Sequence, residues 1–409
     1  MKYIKQILKF LGLYSYILLW YDKIIYKVQF LQLKKRINNI SSENKVFFFF
    51  PFYHTGGAEL VHLNIIKSLS GQSSATFFTL PSAADEGLKD AFFSSSLCFD
   101  IQLFIRNDKD RKSIAKQIAK KINLQKSPVV FACHASFFYY LLPFLQQHVT
   151  RIDLIHAFTG ENEPGHEKES LPFLNLITKR AVITKHLKNQ LIELYSKKSI
   201  EPSKGDKIQV IYNATDLVSI SKLNKSTESF TLLYVGRNSP EKRVHLIGKI
   251  ASNLKSIHPN INVVLIGPNL ESAILQEDKE NCIFTGALAQ NQLSEWYEKA
   301  HAVLITSVRE GFPMVFMESM VFGCVPVSTA VGGIPELLQH KENGLLIPNS
   351  EDETTLVDCF TKVIFELIND SDLRTRLAQN DIDFAIKQFT MKRFNAEYIK
   401  LLSNEQDAA

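Results

Sequence analysis

The sequence predicts an α/β protein with two domains, each built on a parallel sheet. The chain has 409 residues, which exceeds a single ordinary hydrophobic core. Short apolar strands alternate with helical patterns from Lys45 onward, and the same alternation starts afresh at residue 230. An apolar content of 45% and a charged content of 22% are ordinary for a globular protein. We therefore expect two similar halves with a cleft between them.

In the first domain, residues 45–215, seven apolar runs are predicted as strands and the gaps between them mostly as helices. The predicted strands are 45–50, 75–80, 99–103, 128–133, 151–156, 181–184 and 208–212. The predicted helices are 57–70, 108–122, 136–148 and 185–196. Residues 216–229 are rich in Ser, Lys and Asn, which predicts a linker.

The second domain, residues 230–385, repeats the pattern. Its predicted strands are 230–236, 261–266, 282–285, 302–307, 325–328 and 344–347. Its predicted helices are 242–256, 291–300, 313–323 and 352–368, and two closing helices follow at 372–389 and 391–403.

Residues 1–44 form a basic N-terminal segment in which aromatic and aliphatic residues separate the charges. Its first 40 residues carry one acid, Asp22, against eight basic residues, Lys2, Lys5, Lys9, Lys23, Lys27, Lys34, Lys35 and Arg36. The longest uncharged stretch, 10–21, is shorter than the roughly 20 residues that span a bilayer, and no signal-cleavage site follows it. A helix on an anionic inner-membrane surface and a helix packed on the first domain both remain open.

The five cysteines are isolated from one another and odd in number: Cys98, Cys133, Cys282, Cys324 and Cys359. This usage fits a reducing cytoplasm and argues against a disulfide framework or a zinc site. The net charge of +5 fits anionic ligands and does not by itself imply nucleic acid.

Glu310 and Glu318 are the most informative residues of the chain. Glu310 follows a predicted buried strand, and Glu318 is the only charge on the predicted helix 313–323, which begins at Pro313. A helix that is apolar all round is buried, and a buried carboxylate needs polar partners. Ligand hydroxyls would meet the carboxylates, and the N–H groups at the helix start would bind phosphate. Together they indicate a sugar nucleotide, although a surface Glu310 and a protein-satisfied Glu318 remain the alternative.

Other distinctive residues also fall at the carboxyl ends of predicted strands, where open α/β sheets bind ligands. They are Gly56 and Gly57, His156, Gly236 with Arg237, and Glu310. Lys242 lies at the start of a helix, where a lone cation opposes the helix dipole, so Arg237 and Lys242 could bind one diphosphate, with a solvated helix-capping loop as the alternative. Arg243 is predicted to lie on the surface.

These residues resemble the family 4 retaining glycosyltransferases of GT-B fold, over about residues 45–403. The resemblance rests on the glutamate pair, on Arg237 and Lys242, and on weaker motifs at 56–59, 156, 212–216 and 332–336. It implies two Rossmann-like domains facing each other across a cleft, with residues 386–409 returning to the N-terminal acceptor domain. The family often has Gly where this chain has Ala214.

The resemblance also implies a role for each residue. Glu318 would bind the ribose, Glu310 and His156 the transferred sugar, and Arg237 and Lys242 the diphosphate. The remaining substrate contacts would come from Gly56, Gly57, Gly236, Gly311, Phe312, Pro313 and Met314. Positive groups that stabilise the departing diphosphate would make a metal or other cofactor unnecessary.

The expected activity is transfer of a sugar, with retained configuration, from a nucleotide diphosphate sugar to a glycan or lipid-linked acceptor. The basic N-terminal segment favours surface-polysaccharide synthesis, such as lipopolysaccharide or capsule, at the inner face of the membrane. Two other readings stay open: a silent nucleotide-sugar-binding scaffold, and a sugar-nucleotide epimerase. A dinucleotide oxidoreductase is disfavoured because no Gly-x-Gly-x-x-Gly follows the first strand.

Overall fold

The computed structural model describes residues 14–69, 72–81, 85–160, 163–215, 225–226 and 228–403. Residues 1–13 of the N-terminal segment and most of the predicted linker, 216–224 and 227, lie outside the described residues. The chain divides into two compact units. Unit 1 comprises residues 1–154, 168–180 and 401–409, and unit 2 comprises residues 155–167 and 181–400.

The first sheet contains all seven strands that the sequence predicts, in the order β3-β2-β1-β4-β5-β6-β7. They are β1 Val46–Phe50, β2 Ser74–Phe78, β3 Leu97–Asp100, β4 Val129–Cys133, β5 Thr150–Ile155, β6 Lys179–Val182 and β7 Ile208–Val210. The inner strand β1 pairs in parallel with β2 and β4. Its residues 47–50 are four consecutive buried phenylalanines. Such a continuous apolar run is typical of a parallel strand covered on both faces.

The second sheet contains the other six predicted strands, in the order β10-β9-β8-β11-β12-β13. They are β8 Phe230–Val235, β9 Ile261–Ile266, β10 Cys282–Gly286, β11 Ala302–Ile305, β12 Val325–Thr329 and β13 Leu345–Ile347. Strand β8 pairs in parallel with β9 and with β11, and β11 also pairs in parallel with β12. The carboxyl ends of these four strands therefore lie at one edge of the sheet. The prediction of two parallel α/β sheets is confirmed.

Helices cover the strands in both units. Those up to β7 are α1 Tyr14–Asn38, α2 Gly57–Ser68, α3 Lys89–Ser95, α4 Asp108–Asn123, α5 Ser136–Leu141, α6 His166–Glu169, α7 Lys185–Lys197 and α8 Ser203–Asp206. Those after it are α9 His245–Ile257, α10 Gln290–Lys299, α11 Met314–Val321, α12 Glu353–Asn369, α13 Ser371–Gln388 and α14 Met391–Leu402. The helix predicted at 136–148 ends early, because Pro143 lacks the N–H that a continuing helix needs.

Helix α1 packs one of its faces on unit 1. The Tyr26 hydroxyl donates to Asp110 Oδ2 at the start of α4, at 2.6 Å. Leu33 and Ile37 are buried on the same face. The packing alternative for the N-terminal segment is therefore correct for this face of α1. No helix within the described residues has the length and apolarity needed to cross a membrane.

His301, just before β11, is a buried histidine that the structure holds neutral. Thr231 N–H donates to its Nδ1 at 3.0 Å, and its Nε2 lies 2.9 Å from Ser226 O. Both distances fit a ring that carries one proton, on Nε2. Burial is the main cause that lowers the pKa of His301 to about 4.

This histidine predicts an acid-sensitive step in stability. The pKa in the folded state lies below the unfolded value of 6.5, so the unfolded chain binds more protons between these values. The contribution of neutral His301 to the free energy of unfolding is complete above pH 6.5 and falls as the pH drops. By about pH 4 it is lost, which lowers the free energy of unfolding by about 3 kcal/mol. Denaturant titrations at pH 7, 5 and 4 should show a shallower loss for His301→Gln than for the wild type. Equal losses would contradict the assignment.

Candidate functional site

The structure brings Lys242 and Glu310 into direct contact in unit 2. Lys242 Nζ lies 2.6 Å from Glu310 Oε1, and the Ser307 hydroxyl donates to the same oxygen at 2.6 Å. The Glu310 side chain is only 8% exposed, and that of Lys242 is 22% exposed. The predicted phosphate-binding cation and the predicted sugar-binding acid therefore hold each other in fixed positions beyond the end of β11.

The loops that follow β8 and β11 are joined by further hydrogen bonds. Val308 N–H donates to Glu241 O at 2.8 Å. The Thr306 hydroxyl donates to Lys242 O, also at 2.8 Å. Backbone and side-chain bonds together fix the position of Lys242 relative to Glu310.

Arg243 overturns the sequence prediction of a surface residue. It is buried, with 5% of its surface exposed. Its guanidinium donates to the backbone carbonyls of Thr306, Ser307 and Ser350 at 2.9–3.0 Å. Burial lowers the pKa of Arg243 from its ordinary value. Arg243 thus joins the two loops. The sequence did not predict this role, because the residues around Arg243 look the same as those around a solvated arginine.

Arg237 is placed differently from Lys242. Its side chain is 73% exposed, and Nη2 lies 3.2 Å from Glu241 Oε1. Gly236, just before it, donates its N–H to Ile266 O at 3.0 Å, at the carboxyl end of the neighbouring strand. The structure does not bring Arg237 into the Lys242–Glu310 contact.

Glu318 lies on α11 and is buried, as predicted. The Tyr297 hydroxyl donates to Glu318 Oε2 at 3.0 Å. Burial first, and then the negative charge of Glu318, raise the pKa of Tyr297 well above its ordinary value. At least part of the polar environment that the sequence requires for Glu318 is therefore supplied by the protein.

The helix after Glu310 begins one residue later than predicted. Pro313 is its extended N-cap, and Met314 is the first helical residue. The Phe312 side chain is buried against the rings of Phe316 and Phe389, with centroids 5.2 and 5.6 Å away. Only the backbone of Phe312 is left to contact a ligand.

Two glycines allow the backbone to approach closely around Glu310. Gly332 has a φ of +56°, and a Cβ there would lie 1.7 Å from Glu310 O. At Gly311, a Cβ would lie 2.6 Å from His156 O. The backbone of His156 therefore approaches the start of the glutamate segment, and the His156 side chain is buried.

A cavity of about 370 Å³ in unit 2 is lined by Glu310, Gly311 and Gly332. Its other lining residues are Ala157, Phe158, Gly160, Thr184, His186, Leu187, Gln190, Val308, Arg309 and Val331. This volume is in the range of small-molecule sites.

Glu336 is a second residue that sequence reasoning missed. Its carboxylate accepts from Lys185 N–H at 3.0 Å and from His186 N–H at 2.8 Å. It therefore caps the N-terminus of α7, which contributes His186 to the cavity. Glu336 ends the motif Gly-Gly-Ile-Pro-Glu at 332–336, but the sequence does not show that it contacts α7, because α7 is far away along the chain.

Gly56 and Gly57 lie in unit 1. Gly56 is the N-cap of α2, and Gly57 is its first residue. Leu60 N–H donates to Gly56 O at 3.0 Å. Their structural role is thus the start of a helix, at the carboxyl end of β1.

Comparison with known proteins gives one family match, and it lies within unit 2. The profile of the family described as "Glycosyl transferases group 1" matches residues 218–384, the segment that contains Arg237, Lys242, Glu310 and Glu318.

Two curated relatives carry related names. An uncharacterized glycosyltransferase of Methanocaldococcus jannaschii is 25% identical over 52% of this chain and 55% of that protein. The lipopolysaccharide 1,2-N-acetylglucosaminetransferase of Salmonella typhimurium is 30% identical over 29% of this chain and 34% of that protein. The chain thus spans about half or less of the length of these relatives.

Among solved structures, Anabaena HepE in complex with UDP and glucose is similar in fold. The TM-score is 0.67 at 18% identity, covering 88% of this chain and 99% of HepE. The similarity extends over the two parallel-sheet domains that define the GT-B architecture.

Proposed function

We propose that the chain transfers a sugar from a nucleotide diphosphate sugar to a glycan or lipid-linked acceptor. The match of residues 218–384 to the profile of the group 1 glycosyltransferases supports this proposal. The contact between Lys242 and Glu310, at 2.6 Å beside the start of α11, carries this proposal. Lys242 supplies a cation and Glu310 a carboxylate just before the first turn of α11, where N–H groups lack partners within a helix. A sugar diphosphate offers the matching groups.

The proposed reaction breaks the bond between the anomeric carbon and the donor phosphate oxygen. The electron pair stays on the diphosphate, whose growing charge Lys242, Arg237 and the N–H groups at the start of α11 stabilise. The acceptor hydroxyl forms its new bond on the same face of the sugar, so the configuration is retained. Its proton passes to the departing phosphate.

The proposed binding roles follow the same chemistry. Glu310 and His156 bind the hydroxyls of the transferred sugar, and Glu318 binds the ribose. Since protein groups stabilise the leaving diphosphate, we propose that transfer requires no metal. Activity should survive treatment with EDTA; a loss of activity that added Mg²⁺ or Mn²⁺ restores would overturn this part of the proposal.

The donor is found by screening a panel of UDP, GDP and ADP sugars for thermal stabilisation. HepE was crystallised with UDP, which makes UDP sugars the first choice. A donor at about 100 times its dissociation constant adds about 2.7 kcal/mol to stability, enough for a clear rise in Tm. A panel that leaves Tm unchanged throughout, together with no sugar transfer to extracted glycolipids, would overturn the proposal.

Glu318→Gln tests the ribose contact. The amide keeps the shape of the side chain and an oxygen for the Tyr297 hydroxyl, but loses the charge that binds ribose hydroxyls. Nucleotide affinity measured by calorimetry should fall about tenfold or more. Glu295→Gln, an exposed substitution on the neighbouring helix α10, is the matched control and should bind nucleotide normally. Equal affinities in the two variants would refute the contact.

We also propose that helix α1 binds the inner surface of an anionic membrane. Among residues 20–38, the part of α1 whose side chains the structure describes, five large apolar side chains are exposed: Trp20, Tyr21, Ile24, Val28 and Leu31. Their spacing of three or four residues places most of them on one face, nearly opposite the buried Leu33 and Ile37. Exposed Lys23 and Lys27 border that face on one side, and exposed Lys35 lies beyond its C-terminal end. An apolar stripe bordered by lysines is typical of helices that lie in a lipid interface.

Leu31→Ser should weaken binding to vesicles that contain phosphatidylserine, since it removes an exposed apolar contact from the stripe. Leu124→Ser is the matched control, because Leu124 is 69% exposed and Leu31 is 65% exposed. Sedimentation with vesicles measures both. The proposal is refuted if the two variants bind alike, or if the wild type does not bind anionic vesicles better than neutral ones.

A further inference from the structure

Unit 1 contains a cavity of about 490 Å³ at the carboxyl ends of three strands of the first sheet, β2, β3 and β4. Residues 79–81 follow β2, the segment 102–106 follows β3, and helix α5 follows β4; all three contribute to its lining. In open parallel sheets this edge is where ligands bind. The volume suits one or two sugar rings.

One wall of the cavity is aromatic. Phe137, Tyr140 and Phe173 line it, and the ring centroids of Phe137 and Tyr140 are 6.3 Å apart. Tyr139, which also lines the cavity, is fixed by its hydroxyl, which donates to the buried Asp153 at 3.1 Å. Flat apolar rings held in place in this way offer a surface for the C–H face of a sugar ring.

Two arginines, Arg106 and Arg111, line the cavity. Arg111 lies over the Tyr140 ring, 4.7 Å from its centroid, and forms an ion pair with the exposed Asp108. Arg106 is exposed and makes no ion pair with any residue that the structure describes. Guanidinium groups bind phosphate and carboxylate through paired hydrogen bonds.

Glu169 is the one carboxylate among the residues that line the cavity. Glu169 Oε2 accepts from the Ser136 hydroxyl at 2.9 Å. With two arginines against one glutamate, the lining favours a ligand that has hydroxyls for Glu169 and an anion for the arginines.

We infer that this cavity binds the acceptor, and that the acceptor is a saccharide with a phosphate or carboxylate group, its ring on the aromatic wall and its anion on Arg106 and Arg111. The inference rests on the proposed glycosyl transfer and adds the chemical class of the acceptor. Two sources supply this chemistry: a sugar phosphate linked to a lipid, and a soluble acidic glycan.

The test measures the affinity of the full-length protein for glucose, glucose 1-phosphate and glucuronate by saturation-transfer NMR. The two anionic sugars should bind about tenfold more tightly than glucose, and added salt should lower their affinity. Glucose bound as tightly as the anionic sugars would overturn the inference, as would no binding of either anionic sugar. A polyprenyl-linked sugar phosphate in micelles identifies the source. If it binds more tightly than glucose 1-phosphate, the acceptor is lipid-linked, and otherwise it is a soluble glycan.

Arg106→Gln and Arg111→Gln should each lower the affinity for the anionic sugars about tenfold and leave that for glucose unchanged. Lys112→Gln, an exposed residue of the same helix outside the cavity lining, removes the same charge and should have no effect. Unchanged affinities in both arginine variants would overturn the inference.

Nucleotide-sugar binding, measured on the same samples, distinguishes failure of this inference from failure of the proposed transfer. A protein that binds nucleotide sugar but not acidic sugar refutes only this inference. A protein that binds acidic sugar but not nucleotide sugar refutes the proposed transfer, and with it the identification of the bound sugar as an acceptor.

Discussion

Lys242→Ala is expected to lower kcat/KM about 100- to 1,000-fold, because it removes a positive charge that stabilises the departing diphosphate. The loss has a second cause. Glu310 is only 8% exposed and would lose the cation that lies 2.6 Å from its carboxylate. A buried charge deprived of its partner is costly, so the site should also lose part of its geometry.

Steady-state kinetics with the identified donor measure this effect. Lys249→Ala is the control, since Lys249 is an exposed lysine on the following helix α9. Arg237→Ala should show a smaller loss, about tenfold, because the Arg237 side chain is 73% exposed and lies outside the contact. Wild-type turnover in Lys242→Ala would remove the central residue of the proposed mechanism.

Arg243→Met should lower the free energy of unfolding by about 3–5 kcal/mol, the cost of breaking a buried charged network. The methionine fills part of the volume but donates no hydrogen bond, which leaves the carbonyls of Thr306 and Ser307 without their guanidinium donor. The same variant should lose activity beyond its loss of stability, because these carbonyls flank the segment that carries Glu310. Small displacements of reacting groups strongly reduce rates.

Denaturant titration measures the loss against a matched control. Arg376 is exposed and also donates to a backbone carbonyl, that of Lys341, at 3.1 Å. Arg376→Met should cost less than about 1 kcal/mol, since water replaces the lost bond. Similar costs in both variants would mean that burial of Arg243 contributes little to stability.

The fold was accessible from the sequence because both sheets are parallel and buried. Strands covered on two faces leave continuous apolar runs such as 47–50, and the intervening helices keep their own period. The predicted helix boundaries were wrong where a proline interrupts the helical period. The helix at 136 ends before Pro143, and the helix predicted from Pro313 begins at Met314. The short helix α3 was missed.

The site was less accessible because its contacts join distant parts of the chain. The spacing of the motifs predicted Lys242 and Glu310 as ligand-binding residues, but not that they contact each other. The burial of Arg243 depends on carbonyls more than 60 residues away along the chain. Glu336 contacts the start of α7 although the two are about 150 residues apart in the sequence. Composition and periodicity carry no information about such pairings.

The tight approach at Gly332 has a consequence for engineering. A methyl group there would lie 1.7 Å from Glu310 O, so the site tolerates no side chain at this position without moving Glu310. Libraries intended to change the accepted sugar should therefore leave residue 332 fixed. Val308 and Val331 line the same cavity, and Val308 is 48% exposed, so randomising these two valines reshapes its wall while the backbone that carries the acid stays in place.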